Sequence, residues 1–275
     1  MKGLSSENGQ KLDRVIQMLD EIVGVGTSSL RKFPTEHYEL IVFTFINYLE
    51  RFTYSLENIN LLLRHFKNKP NVETSIGLTI RAGLLDFMTI TYLSTYQADI
   101  KSKEDTVGKD TFDKQFDGLI ADQIHNTIKY LKTTRDHGLI SQQEYNTALE
   151  NSWHSYNFLF TQKEVDYQTP EKKIISQEFK TPRQLFTRIH SHPLTKKFSR
   201  VYDLYTYYGK YEHFGIMTHF MQRQGIDKDF ETMLGAMKYL VIGMGSTFVF
   251  LSYPLNKLQA EKEQLLKLQH EFEKL

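Results

Sequence analysis

The sequence predicts an all-α protein, a multi-helix bundle of about eight to ten helices. Three observations predict it. Apolar residues recur at intervals of three and four along most of the chain, the spacing of one helical face. The segments so defined open on Ser, Thr, Asp or Pro and close on Gly or Pro, the residues that satisfy or end helix termini. Strand signals are nearly absent: no Asn-Gly or Asp-Gly hairpin separates alternating runs, and Asp117-Gly118 sits inside a helical pattern.

The first helix is expected from about Ser6 to Val23, with Leu12, Val15, Ile16, Leu19, Ile22 and Val23 on one face. Gly24 and Gly26 should end it. Gly24-Val-Gly26-Thr-Ser-Ser has the outline of a phosphate-cradling turn, but no strand precedes it, so the glycines read as a helix C-terminus. Thr35 caps a long helix, Glu36 to about Phe66, which Asn68-Lys69-Pro70 stops; Ile41, Phe45, Tyr48, Leu49, Phe52, Leu56, Ile59 and Leu63 are its apolar face. Asn71 caps a third, to about Ile100, whose stretch Ile76–Leu93 is apolar nearly all round and therefore central.

Lys101–Asp110 reads as a polar connection, followed by a helix from Thr111 to Asp136 that Gly138 closes. Ser141-Gln-Gln-Glu144 is a capping box, serine and glutamate each satisfying an open backbone N–H, and it opens a helix to about Phe160. Thr161–Lys180, with Pro170 and a charged centre, is the expected long surface loop. Thr181-Pro182 is a cap with a first-turn proline and opens a short helix to His190. Pro193 starts the next, through the tyrosine-rich run VYDLYTYYGKYEHFG, and Gly225 ends the segment after that run. Asp227 caps an apolar helix up to Tyr253, and a last helix runs from Pro254 to Leu275. In it Leu258, Leu265 and Phe272 stand seven apart, with Leu268 and Leu275 interleaved. That heptad seam requires a partner helix, within the chain or in a second copy.

With 275 residues, 40% of them hydrophobic, the chain can bury a core as one domain, 1–275, or as sub-halves 1–161 and 181–275 joined by the loop 162–180. Thirty-four basic residues offset thirty-three acidic ones, so no global charge draws nucleic acid or an acidic membrane. Residues 172–200 are the exception: Lys172, Lys173, Lys180, Arg183, Arg188, Lys196, Lys197 and Arg200 make that stretch basic enough to receive RNA. The absence of cysteine excludes disulfides, thiolate zinc sites and cysteine nucleophiles.

Residues 1–10 hold no apolar run of a secretory signal, which gives a cytoplasmic expectation. Tyr239–Tyr253 is uncharged, but Lys238 precedes it and Gly243, Gly245, Ser246, Thr247 and Ser252 dilute it. That is the composition of a buried bundle helix, and no membrane span is expected. P-loop, H-E-x-x-H, G-x-S-x-G and EF-hand patterns are missing, and the ten histidines are scattered, so no cofactor and no metal site are expected.

Two constellations carry chemistry. Arg183 and His190 are seven apart, nearly eclipsed after two helical turns. A histidine can take the proton of a ribose 2′-hydroxyl while a guanidinium holds the phosphate. Arg183-Gln-Leu-Phe-Thr-Arg-Ile-His190 resembles the R-x4–6-H motif of the HEPN domains, all-α bundles whose ribonuclease members act without metal. The resemblance implies His190 as base and Arg183 as phosphate clamp, in a dimer of a defence or toxin system. The second constellation joins Arg81 and Asp86, on the apolar third helix, to Tyr205, Gly209 and His213, four apart on a later one. A buried arginine must pair with a carboxylate or line a cavity, with Asp203 or Glu212 as candidate partners.

These segments are similar to a family of uncharacterised bacterial all-helical proteins. Its members carry an arginine and an acid on one apolar helix and Tyr-x3-Ser-x3-His on another; its serine is Gly209 here. Three functions are expected. The first is a non-catalytic interaction or regulatory protein that self-associates through helical surfaces, the seam of Leu258, Leu265, Leu268 and Phe272 among them. The others are a HEPN-like ribonuclease and a small-ligand pocket around Arg81, Asp86, Tyr205 and His213.

Overall fold

The structure, a computed structural model, describes residues 4–33, 38–69, 72–102, 106–174, 180–211, 225–252 and 254–275. Among them are nine α-helices and no strand beyond one isolated bridge, Phe160 to Ile174. The all-α bundle read from the sequence is the fold. By contact the chain divides into two compact units, one of residues 1–95 and 182–275, the other of residues 96–181. This division shares the boundary near 181 with the expected halves. It differs over 1–161, since residues 96–161 belong to the second unit.

In the first unit, α1 (Ser6–Leu30) starts where the Ser5 hydroxyl accepts the Asn8 N–H. Leu12, Val15, Leu19 and Ile22 are wholly buried along its inner face. It packs on α2 (Leu40–Phe66), α2 on α8 (Ile226–Ser252), α8 on α9 (Gln259–Glu273), and α9 back on α1. Four amphipathic faces thus close on one core. Charged pairs on α1 and α2 fix their register: Arg64 Nη2 lies 2.6 Å from Asp20 and Lys67 Nζ 2.7 Å from Asp13.

The expected end of α1 at Gly24 and Gly26 is overturned. The helix runs through both glycines to Leu30 and its Arg31 cap, because Gly26 is a contact point and not a terminator. A Cβ at Gly26 would overlap Thr53 Oγ1 of α2 and Met244 Cε of α8. Asp227 likewise does something other than cap α8. It stands in the first turn and accepts from Ser5 N at 3.0 Å, Ser5 Oγ at 2.8 Å and Asn8 Nδ2 at 2.8 Å, tying α8 to the start of α1. Thr35 and Asn71, expected as caps, lie outside the described residues.

The heptad seam finds its partner inside the chain. Leu265 and Phe272 are fully buried and Leu268 is 8% exposed in α9, which packs on α1 and α8, and Leu258 is fully buried in the 3₁₀ turn Asn256–Leu258 before it. α3 (Glu73–Ser102) and α8 are long and apolar enough to cross a membrane by length and composition. In the fold, 72% and 61% of their most apolar windows are buried, which is the use a central helix makes of that composition. Gly83 lets α3 approach Leu240 of α8, and Phe87 packs edge-on to Phe198 and Tyr239.

α6 (Pro182–Ser191) opens on its proline as expected. Pro193 does not begin a helix. Thr195 Oγ1 donates to Ile189 O at 2.7 Å and the chain passes through turns and a short 3₁₀ segment at Lys196–Phe198 before α7 (Val201–Tyr208). In the second unit, α4 (Thr106–Asp136) and α5 (Gln142–Tyr156) form a hairpin. Gly138 turns the chain at φ +70° and the Ser141–Glu144 capping box starts α5. α4 begins earlier than expected: the polar stretch 106–110 is helical.

Candidate functional site

Leu185 and Ile189 are buried and anchor α6, as Val201 and Tyr208 anchor α7. Arg188 is tied down by its Nε, which donates to Thr95 Oγ1 at 3.0 Å. The remaining faces of the two helices are turned outward, and their aromatic rings stack. Phe186 and His190, one turn apart, have ring centroids 5.6 Å apart at 28°. Phe186 stacks across to Tyr202 at 5.1 Å and 19°, and Tyr202 on Tyr205 at 6.3 Å and 23°. The Arg81 guanidinium covers the Tyr205 ring at 4.6 Å, and its Nη2 donates to the Tyr205 hydroxyl at 3.2 Å. A column of four rings therefore runs from His190 to Tyr205, with the Arg81 guanidinium over its far end. Arg183, Lys196, Lys197 and Arg200 are exposed on the same segment, with Asp203 the exposed carboxylate among them.

The two constellations read from the sequence meet in this column and are also partly dismantled. Arg183 and His190 are both exposed on α6. Arg81, Tyr205 and Gly209 come together: a Cβ at Gly209 would stand 3.6 Å from Arg81 Nε. Asp86 belongs elsewhere. Five residues beyond Arg81 it leaves that face of α3 and receives a two-point ion pair from Arg51 of α2, Nε to Oδ2 at 2.9 Å and Nη2 to Oδ1 at 2.8 Å. Burial pushes the Asp86 carboxyl up to about 6 even though Arg51 pulls it down. His213 and Glu212 lie outside the described residues.

A second group of side chains went unnoticed in the sequence. Glu73, Gly77 and Arg81 recur every four residues on α3 and present one face. At Gly77 the missing side chain makes room for the Tyr208 and Tyr211 rings, which stack at 6.0 Å. The Tyr211 hydroxyl donates to Glu73, and the Tyr207 hydroxyl to Asp229 of α8. Between them Lys210 is 8% exposed, its Nζ 3.7 Å from the Tyr207 ring centroid and 4.8 Å from that of Tyr211.

Three buried polar atoms of this group have no hydrogen-bond partner among the described residues: Lys210 Nζ, Asp229 Oδ1 and the Tyr208 hydroxyl. Burial dominates the electrostatics. It raises the Glu73 and Asp229 carboxyls and the hydroxyls of Tyr207, Tyr208 and Tyr211. It lowers Lys210 against the pull of Glu73 and Asp229. The readable signal was the four-residue recurrence of Glu73, Gly77 and Arg81 on α3.

Among the described residues no cluster of three or more His, Asp or Glu side chains is arranged to hold a metal ion. No protein-family model, curated protein or solved structure matches the chain.

Proposed function

We propose that the protein is a non-catalytic helical binding protein whose ligand, single-stranded RNA, lies along the α6–α7 face. The observation that carries this reading is the stacked column His190–Phe186–Tyr202–Tyr205–Arg81, bordered by four exposed cations. Single strands are held by this combination, in which bases stack on aromatic rings and cations track the phosphates. Fluorescence anisotropy with labelled oligouridine and oligoadenine tests it. Four phosphate contacts on a single strand give a log–log salt dependence with a slope of roughly −3. Tyr202→Ala should weaken binding by about 1–3 kcal/mol, the usual worth of one stacked base. Affinity that ignores both salt and Tyr202→Ala, or no binding at low salt, removes the proposal.

A ribonuclease reading has its own support, the shared exposure of Arg183 and His190 two turns apart on α6. It predicts cleavage of labelled RNA without added metal, lost in His190→Ala and Arg183→Ala. RNA that stays bound and intact decides for the binding protein.

A further inference from the structure

We propose that Lys210 is a nucleophilic amine that forms an imine with a small aldehyde or ketone, assisted by the carboxyl groups of Glu73 and Asp229. A lysine in a structural role normally ends in a salt bridge or on backbone carbonyls. Lys210 Nζ does neither. It has no hydrogen-bond partner among the described residues and rests on the faces of Tyr207 and Tyr211 at 3.7 and 4.8 Å. Loss of water favours the neutral amine, the nucleophile, against the attraction of the two ring faces for the ammonium. Burial lowers Lys210 in that direction.

The groups around the amine suit the rest of the reaction. Glu73 and Asp229 are both desolvated, and burial raises both. Each is therefore a carboxyl that holds a proton more readily than a free one and can pass it to a leaving hydroxyl. Asp229 Oδ1 and the Tyr208 hydroxyl are also without partners, leaving an acceptor and a hydroxyl to hold a polar guest beside the amine. Glu73 and Tyr207 are only half-buried and form the outer edge of the group.

The step balances without an oxidant or reductant. The Nζ lone pair adds to the carbonyl carbon, and a proton passes from nitrogen to the former carbonyl oxygen by way of a carboxylate, giving a carbinolamine. The nitrogen lone pair then expels the hydroxyl, which leaves as water with a proton from Glu73 or Asp229. Loss of the remaining N–H proton restores the carboxyl and leaves a neutral C=N bond.

The test uses the intact wild-type protein at pH 7 with formaldehyde as probe and cyanoborohydride as trap, followed by peptide mass spectrometry. Lys210 should be alkylated on the order of tenfold faster than the exposed Lys196 and Lys197, because no hydrogen bond among the described residues holds its ammonium form. Labelling of Lys210 at or below the rate of those two, rising to theirs only in urea, would show a sealed structural amine and overturn the proposal. In Glu73→Gln, trapping at Lys210 should slow while that of Lys196 stays unchanged; an unaltered Lys210 rate would remove Glu73 from the step.

Discussion

At the scale of single residues, the polar side chains held inside the first unit decide how the protein responds to pH. Asp86 is 5% exposed and its carboxyl is raised to about 6. The folded state thus binds a proton there more tightly than the unfolded state. The stability this confers is complete below the unfolded carboxylate range and is lost as pH climbs through 6. Urea titrations at pH 5 and pH 8 should show a loss of about 1.4 kcal/mol across that window, and Asp86→Asn should flatten it. A pH profile unchanged in Asp86→Asn would mean that another group titrates.

Glycine supplies a paired test at the same scale. Gly24 has open space where a side chain would go, whereas Gly26 has Thr53 and Met244. Gly24→Ala should stabilise the protein by about 0.5–1 kcal/mol through helix propensity. Gly26→Ala should destabilise it by roughly 1–3 kcal/mol through overpacking. Thermal denaturation of the two variants separates the readings, and equal shifts would contradict the crossing of α1 over α2 and α8. In sequence these two glycines were indistinguishable from a helix terminator, because a terminator and a close crossing both demand the absence of a side chain. Which demand applies depends on neighbours remote in the chain, Thr53 on the next helix and Met244 near the other end.

At the scale of elements, helix existence was legible and helix function less so. Caps and prolines located the starts of α5 and α6 and the end of α2 closely, because those signals act within one turn of the backbone, whereas α2 begins at Leu40 and not at the expected Glu36. Pro193 misled because a proline fits a turn as well as a first helical position. There the Thr195 side chain had already closed α6 on the Ile189 carbonyl. The seam on α9 was visible as a heptad, but its partner was not. Burial of Phe272 against the chain's own helices predicts that Phe272→Ala lowers stability by about 3–5 kcal/mol. Sedimentation at equal concentration should show the same mass as wild type. A shift in mass without loss of stability would assign the seam to self-association. The column on α6 and α7 illustrates the same limit: the i,i+4 and i,i+3 spacings could be read along the chain, while the stacking of Phe186 on Tyr202 required the two helices to meet.

At the scale of the whole molecule, the division into two units has a spectroscopic consequence. The chain has one tryptophan, and Trp153 stands in the unit of residues 96–181. Its fluorescence therefore follows that unit, while far-ultraviolet circular dichroism sums the helices of both. Because each unit has its own core, the two signals should give denaturation midpoints that do not coincide. Superimposable transitions would mean that the units unfold as one cooperative block.

The sequence by itself determined that the chain is helical, where most helices begin, and which stretches are central, since those properties are set by neighbours three and four residues away. Only the tertiary structure decided that Asp86 pairs with Arg51 and not with the Arg81 constellation, that the C-terminal seam is filled from within, and that Glu73 and Asp229 act electrostatically on Lys210. Such pairings join residues dozens to more than a hundred positions apart. Local periodicity places a side chain on a face, but the packing of that face chooses its partner.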